Sequence, residues 1–236
     1  MKIALCLHGK FDSLTDHSSK GIDGFSHLKS RVFSKCDPDV FIHCWDKEKE
    51  ETILKLYNPK DLIIEDQIDF SDKTSHLNFL TNPPRKPETI LSHFYSVSKS
   101  IELACRYDQY DIIIKSRFDI GRINRSTSGP HNKQNPYPVQ CITFDPNLNM
   151  DLLHMANWQY IDSDGPADMW FYSNQKNMSR LSEIYQFAVE SFDLNGRYAK
   201  SLSDLNDLPN AIKLYKQFFI ARGLWVKKNL LETFYE

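Results

Sequence analysis

Apolar residues along the chain occur either in short continuous runs or at helical spacing. Runs of strand length lie at residues 2–7, 40–45, 62–64, 111–118, 140–144 and 169–172. Short apolar runs bounded by polar segments are typical of buried strands. Because these runs alternate with helical patterns, the sequence predicts an α/β fold, with a mostly parallel central sheet flanked by helices.

Apolar residues spaced three or four positions apart predict the helices. The clearest helix covers residues 88–107, where a stripe is formed by Ile90, Phe94, Val97, Ile101 and Ala104. Further helices are predicted around 25–32, at 47–57 and 177–192, and from Pro209 to Gly223. The polar segments 8–23, 70–87 and 122–138 are predicted to be loops, and the last of them is long enough to border an active site.

Composition and charge exclude several classes of protein. The chain has 236 residues, of which 41% are hydrophobic and 25% charged, so it is long enough for one sizeable domain and is not a disordered chain. The formal net charge of -2 argues against a general nucleic-acid binder, but it permits a local basic pocket. No internal repeat or domain boundary is visible.

The distribution of apolar residues and cysteines bears on location. No run approaches the roughly 20 apolar residues that a membrane helix requires. The apolar run after Met1 is too short for a secretory signal, since His8, Gly9 and Lys10 end it. The five cysteines are scattered and form no CxxC pair, which favours reduced thiols and a cytoplasmic protein.

The most distinctive polar feature follows the predicted strand 111–118. Residues two apart in an extended segment point to the same side, so Arg117 and Asp119 are expected to reach one site. In α/β sheets, ligands bind outside the carboxyl ends of the strands. A carboxylate there suits Mg²⁺ or Mn²⁺ on a diphosphate, and an arginine binds phosphate directly. The alternative is an ion pair at the surface that closes the strand.

A second candidate is Asp168, which follows Gly165 and Pro166 and precedes the aromatic run that begins at Trp170. Aromatic neighbours that desolvate a carboxylate raise its pKa and suit it to act as a general base. The alternative is an aspartate that forms a turn or caps a helix.

Two more strand ends carry polar residues. His43 and Trp45 end the second predicted strand and could contact a nucleotide or sugar, although ordinary core packing is the more common role for each residue alone. His8, Gly9 and Lys10 follow the first strand, where nucleotide-binding loops often lie, but they match neither GxGxxG nor the P-loop pattern.

Five segments, taken in order, resemble a group of glycosyltransferases with a GT-A-type fold that occurs in bacterial surface-polysaccharide loci and in large DNA viruses and phages. The segments cover most of residues 1–190 and read ALCLHGKFD, DVFIHCWD, SHFYSVSKSIELA, YDIIIKSRFDIGRI and GPADMWFYSNQKNM. Each motif is only moderately specific, so the resemblance rests on their order and spacing.

The resemblance implies a single Rossmann-like GT-A domain, with residues 1–119 binding the donor nucleotide and 120–236 the acceptor. The implied substrates are a UDP- or GDP-sugar and a hydroxyl of a glycan. The residues implied to bind the donor are His8, Gly9, Lys10, His43, Trp45, Ser96, Lys99 and Arg117. Asp168 matches the region that carries the acceptor-side base of inverting members, which favours inversion.

The chain departs from the family at the metal-binding motif. GT-A enzymes use an Asp-x-Asp motif to hold a divalent metal on the donor diphosphate, and here the matching segment is Arg117-Phe118-Asp119. Either Asp119 alone holds Mn²⁺ or Mg²⁺ with water and phosphate, or Arg117 takes over part of the charge neutralisation. The resemblance thus makes Asp119 a catalytic residue and the expected metal ligand.

Two other functions remain open at this stage. A nucleotidyltransferase also uses strand-end carboxylates, but its two-metal centre usually needs two or three clustered acids. A non-catalytic carbohydrate-binding module would use the aromatic residues for stacking, and Asp119 would then be structural. The sequence distinguishes neither the sugar nor the nucleotide base, and it leaves retention and inversion of configuration open.

Overall fold

The computed structural model describes residues 1–12, 21–77, 86–121, 141–155, 168–196 and 211–224. Within these ranges six strands form one mixed sheet in the order β3-β2-β1-β4-β6-β5. The strands are β1 (Ile3–Gly9), β2 (Asp39–Cys44), β3 (Asp61–Ile64), β4 (Ile112–Arg117), β5 (His154–Met155) and β6 (Trp170–Ser173). The first four strands in chain order are parallel, and β6 runs antiparallel to β4 and β5. The predicted α/β fold with a mostly parallel sheet is therefore confirmed.

Helices flank the sheet on both faces. The α-helices are α1 (Gly21–Leu28), α2 (Glu50–Tyr57), α3 (Ser71–Thr74), α4 (Pro87–Tyr107), α5 (Gln175–Leu181), α6 (Ile184–Phe192) and α7 (Ala211–Arg222). A π-helical segment, Lys29–Phe33, continues α1, and a 3₁₀ turn, Lys47–Lys49, precedes α2. In the described ranges, no helix combines the length and the apolar character needed to cross a membrane.

Alternation along the strands sends side chains to two separate cores. Ala4 and Cys6 face the core that α4 to α7 cover, whereas Leu5 and Leu7 face the core on the side of α1 and α2. The apolar stripe predicted for α4 is fully buried, as are several of its serines. Because α4 packs across β1 and β2, its polar residues come close to the carboxyl ends of those strands.

Helix α1 fixes the turn that follows β4. Gly24 lies directly against this turn, since a Cβ atom there would stand only 1.6 Å from the main-chain oxygen of Phe118. Only glycine permits so close an approach. Asp119 follows in the same turn and is 5% exposed, so the helix contact holds the segment that carries it.

Residues 140–144 were predicted to form a strand, and this prediction is wrong for the described residues 141–144. Ile142 and Phe144 are buried in the core, which explains the alternating apolar pattern. However, the Ile142 amide donates to the Nε2 atom of His27 at 3.0 Å instead of joining the ladder.

Other boundaries also differ from the sequence prediction. The helix predicted at 177–192 is interrupted at Ser182 and Glu183, which separate α5 from α6. The loop predicted at 70–87 contains the short helix α3, and strand β5 was missed because it has only two residues. Gly223 follows the end of α7 with φ at +64°, as predicted. Pro209, the loop 122–138 and parts of the other two predicted loops lie outside the described residues.

Candidate functional site

The candidate site lies where strand order reverses, between β1 and β4. The chain proceeds from β1 outward through β2 to β3, then returns across β1 to form β4. Such a switch point opens a crevice at the carboxyl ends of the strands, where α/β proteins bind ligands. His8 and Arg117 are paired opposite each other at these ends. By alternation, both face the side of the sheet that α4 covers.

Arg117 and Asp119 form a two-pronged ion pair. The Nε and Nη2 groups of Arg117 donate to the two carboxylate oxygens of Asp119 at 2.8 and 2.7 Å. The Asp119 side chain is 7% exposed and that of Arg117 is 30% exposed, so the pair is more enclosed than a surface salt bridge. Burial alone lowers the pKa of Arg117, but Asp119 and Asp168 outweigh it and raise that pKa.

Lys115 is a fully buried lysine on the same face of β4. Its ammonium donates to the main-chain oxygen of Asp168 and lies over the rings of Phe171 and Tyr215, 4.8 and 5.6 Å from their centroids. Burial lowers its pKa to about 7, with Arg117 acting in the same direction and the carboxylates opposing. A buried titratable group with a strongly shifted pKa is typical of functional sites.

Asp168 lies beside these cations, immediately before β6. The Arg117 amide donates to the carbonyl of Met169 at 3.3 Å, which brings the start of β6 against the end of β4. One carboxylate oxygen of Asp168 is 3.7 Å from Nε2 of His93, and the residue as a whole is 8% exposed. The predicted sites at Asp119 and Asp168 therefore belong to one cluster, although they are far apart in sequence.

His93 and Tyr215 complete this cluster. Nε2 of His93, on α4, is 3.2 Å from the hydroxyl of Tyr215 on α7. The His93 and His8 rings also make a T-shaped contact, with the centroids 5.2 Å apart. Burial, with a contribution from Asp168, raises the pKa of Tyr215 well above its ordinary value, so its hydroxyl remains protonated.

His43 and Ser96 form a separate hydrogen-bonded chain that holds Gly9. The Gly9 amide donates to Oγ of Ser96 at 2.8 Å, and Oγ is 2.7 Å from Nδ1 of His43. Nε2 of His43 is 2.9 Å from a Glu65 oxygen. An ionised carboxylate only accepts, so Nε2 carries the proton and Ser96 donates to Nδ1. Burial lowers the pKa of His43 against the opposing effect of Glu65, which agrees with this neutral form.

Gly9 itself adopts φ of +98°, a left-handed value that favours glycine, and a Cβ atom there would meet none of the described residues within 4 Å. The described part of the protein therefore leaves space beside this strand end. His43 and Ser96 use their polar atoms within the protein, and their visible effect is to fix the Gly9 backbone.

Three other residues were predicted to bind the donor: Trp45, Lys99 and Lys10. Trp45 stacks on Tyr95, with ring centroids 5.6 Å apart and planes at 25°. Lys99 is paired with Glu102 at 3.2 Å, and its ammonium lies 5.4 Å from the centre of the Tyr95 ring. Lys10 is half-buried at the end of β1.

The side chains present do not form an evident metal centre. Among the described residues, no group of three or more His, Cys, Asp or Glu side chains is arranged to hold a metal ion. Both carboxylate oxygens of Asp119 already accept hydrogen bonds from Arg117. This pairing supports charge neutralisation by Arg117, and Mn²⁺ or Mg²⁺ at Asp119 stays a prediction.

Sequence reasoning did not single out His93, Lys115 or Tyr215. A signal was available for Lys115, because it follows three isoleucines in a buried strand and shares the face of Ile113. His93 is three residues after Ile90 and so falls beside the apolar stripe of α4. Tyr215 offered no local signal, since only the packing of α7 brings it here.

Comparison with known proteins adds no assignment. No protein-family model matches this chain, and no curated protein matches it.

Proposed function

We propose that this protein is a glycosyltransferase that moves a sugar from a UDP- or GDP-sugar to a hydroxyl group of a glycan acceptor. The observation that carries the proposal is the convergence of Arg117, Asp119 and Asp168 at the switch point of the sheet. Such a reaction needs a cation for the departing diphosphate and a base for the attacking hydroxyl. The resemblance of the five sequence segments to GT-A enzymes supports the same reaction.

Arg117 is proposed to bind the donor diphosphate. A guanidinium has five N–H groups, and two of them bond to Asp119, which leaves three for a ligand. The partial exposure of Arg117 makes it accessible, while the Asp119 fork fixes its plane. As the bond from the anomeric carbon to the diphosphate oxygen breaks, charge grows on that oxygen, and a preoriented guanidinium stabilises it.

Asp168 is proposed to be the acceptor-side base. Its carboxylate takes the proton of the acceptor hydroxyl as that oxygen attacks the anomeric carbon, and the nucleoside diphosphate leaves from the opposite side. This single displacement inverts the configuration of the sugar. Lys115 anchors the Asp168 backbone through its carbonyl, so the position of the base depends on a contact made inside the protein.

His43 and Ser96 are proposed to act on the donor indirectly. Because both are joined in the hydrogen-bonded chain to Gly9, they shape the loop after β1, where the nucleotide is expected. Trp45, Lys99 and Lys10 are the candidates for direct contact with the nucleotide. No step of the proposed reaction depends on a metal, since Arg117 supplies the charge.

A nucleotidyltransferase has less support. Its two-metal centre needs clustered carboxylates, whereas Asp119 is bonded to Arg117 and Asp168 lies beside His93. The non-catalytic carbohydrate-binding alternative does not require a buried aspartate beside cations, so it leaves the Asp168 cluster without a role.

The proposal is tested by a thermal-shift screen of nucleoside diphosphates and sugar nucleotides, with and without Mn²⁺. A ligand that binds only the folded protein raises the melting temperature by mass action. We expect UDP or GDP to raise it in the parent and in Asp108→Asn, but much less in Arg117→Ala. Asp108 is a matched control because it pairs with Lys2 near the opposite end of β1. Equal shifts in all three proteins would contradict the assignment of Arg117.

A further inference from the structure

His8 is a buried side chain without a hydrogen-bond partner in the described part of the protein. The residue is 1% exposed, and neither Nδ1 nor Nε2 has a partner there. Burying polar nitrogens without partners is costly, so buried side-chain polar atoms usually have partners. An exception at the switch point of the sheet points to a group that is bound during function.

Groups that carry positive charge when ionised act most strongly on this ring, and two carboxylates stand next to them: Asp119 is bonded to Arg117, and Asp168 lies beside His93. The side chains that act most strongly on it are His43 from β2, Lys115 and Arg117 from β4, and His93 from α4. Each of these groups is a cation when it carries charge, and in that form it opposes a positive charge on His8. Burial and these neighbours together hold the pKa of His8 well below its ordinary value. The ring is therefore neutral in the free protein at neutral pH.

Arg117 connects this buried ring with the accessible part of the site. The two residues are opposite each other in the β1–β4 ladder, and their side chains share one face. Arg117 is 30% exposed, and the buried His8 ring is its ladder neighbour on that face of the sheet. An anion that binds the guanidinium therefore lies next to the ladder position of His8.

We propose that His8 is a ligand-linked proton acceptor: a diphosphate bound at Arg117 accepts a hydrogen bond from the His8 ring, and the ring takes up a proton as the diphosphate binds. This inference rests on the proposed function for the diphosphate site, and it adds the charge state in which the site holds its ligand.

Binding of a diphosphate is expected to reverse the sign of the electrostatic field at the His8 ring. Without ligand, the neighbours of His8 favour the neutral ring. A diphosphate places several negative charges among these neighbours, and a nearby opposite charge favours the protonated form of a histidine. The imidazolium then has two N–H donors, and a hydrogen bond between charged partners is stronger than a neutral one. Binding thus provides a partner for a nitrogen that has none in the described residues.

Calorimetry with inorganic diphosphate as the probe measures this proton directly. The binding enthalpy is determined at one neutral pH in buffers of different ionisation enthalpy, for the parent, His8→Asn and His154→Gln. We expect the parent to take up roughly one more proton per diphosphate than His8→Asn does. Protons that the diphosphate itself gains or loses contribute equally in all three proteins. The difference in proton uptake between the parent and His8→Asn therefore reports on the His8 ring.

His154→Gln is the matched control. His154 is also buried, and burial also lowers its pKa, but its Nε2 is hydrogen-bonded to Asn149 and it lies on β5. This variant should take up the same number of protons as the parent. Equal uptake in the parent and His8→Asn, or no binding of diphosphate to the parent, would overturn the inference.

A second measurement needs no variant. In parent protein with isotope-labelled histidine rings, addition of diphosphate should move one ring from the neutral to the cationic chemical shift; spectra in which no ring gains charge would contradict the inference. The proposed function fails separately: diphosphate binding with proton uptake, but no transfer from any sugar nucleotide, would keep the anion site and reject the glycosyltransferase.

Discussion

Two hydrogen bonds of 2.8 and 2.7 Å join the Arg117 guanidinium to the Asp119 carboxylate, and only one residue separates the two in sequence. The carboxylate fixes the plane of the guanidinium, and it uses both of its oxygens to do so. In the proposed reaction, Asp119 therefore acts on the diphosphate through Arg117. This differs from a metal-binding aspartate, whose oxygens would face the ligand directly.

Asp119→Asn should weaken both the folded state and catalysis. An amide offers only one acceptor oxygen and no charge, so one of the two hydrogen bonds from Arg117 is lost inside a nearly buried site. We expect the free energy of unfolding to fall by about 1–3 kcal/mol. Donor affinity should fall as well, because Arg117 is no longer held in its plane. Urea denaturation and kcat/KM measure the two effects.

Arg117→Lys and Asp108→Asn complete this experiment. Lysine keeps the positive charge but lacks the planar fork, so a large loss of donor affinity would indicate direct, two-pronged phosphate contact. Asp108→Asn removes an exposed aspartate that pairs with Lys2, and it should leave turnover normal. Normal turnover in Asp119→Asn as well would show that the fork has no catalytic role.

Asp168→Asn should separate binding from transfer. Asparagine keeps the size of the side chain but cannot take a proton, and the bond from Lys115 is made to the main-chain oxygen, which the substitution retains. Donor affinity should survive while transfer falls roughly 10²–10⁴-fold, the usual range for a lost general base. If Asp168 instead only caps a turn, stability falls by about 1 kcal/mol and transfer stays near normal.

Lys115→Met should change the pH dependence of stability. The pKa of Lys115 is about 7 in the folded protein, against an ordinary value of 10.5. Between these values the unfolded chain binds more protons, so this lysine makes the free energy of unfolding rise with pH. Its contribution is fully favourable above the unfolded pKa and is lost as pH falls towards 7.

The measurement is urea denaturation at several pH values from about 7 to about 9, where we expect the rise to be smaller in Lys115→Met than in the parent. Lys47→Met is a suitable control, because Lys47 is a half-exposed lysine paired with Asp66, and its profile should follow the parent. An identical dependence of the free energy of unfolding on pH in all three proteins would mean that folding does not lower the pKa of Lys115.

Ser96→Ala should affect the loop after β1. It removes the oxygen that accepts from Gly9 and the hydroxyl that donates to His43, and it leaves both groups without that partner. We expect a loss of about 1–3 kcal/mol in stability, together with weaker donor binding. Ser100→Ala is a matched control, because Ser100 is buried on the same helix, and within the described residues its hydroxyl bonds only to the Val97 carbonyl. A stability loss of similar size in both variants would show that Ser96 has no special role.

The local pattern of apolar residues was sufficient to predict most of the strands and helices. The isoleucines before Lys115 form β4, and the stripe on α4 is buried as predicted, because strand and helix periodicity follow directly from burial on one side. The same reasoning failed at Ile142, where burial of alternate side chains occurs without strand pairing. A pattern of burial does not reveal where the backbone donors bond.

The site was only partly predictable for a related reason. Arg117 and Asp119 are close in sequence, so their shared direction followed from strand geometry. The contact of Lys115 with Asp168 depends on the antiparallel pairing of β4 with β6, and Tyr215 reaches the cluster only through the packing of α7. Such contacts between distant segments leave no signature in one sequence.

The proposed glycosyltransferase reaction is tested by the release of nucleoside diphosphate from a panel of UDP- and GDP-sugars, measured with and without glycan acceptors. We expect one donor to give acceptor-dependent release in the parent and in Asp108→Asn, and we expect Asp168→Asn to lose this release while still binding the donor. Acceptor-dependent release that is unchanged in Asp168→Asn, or no release from any donor in the panel, would contradict the proposed reaction.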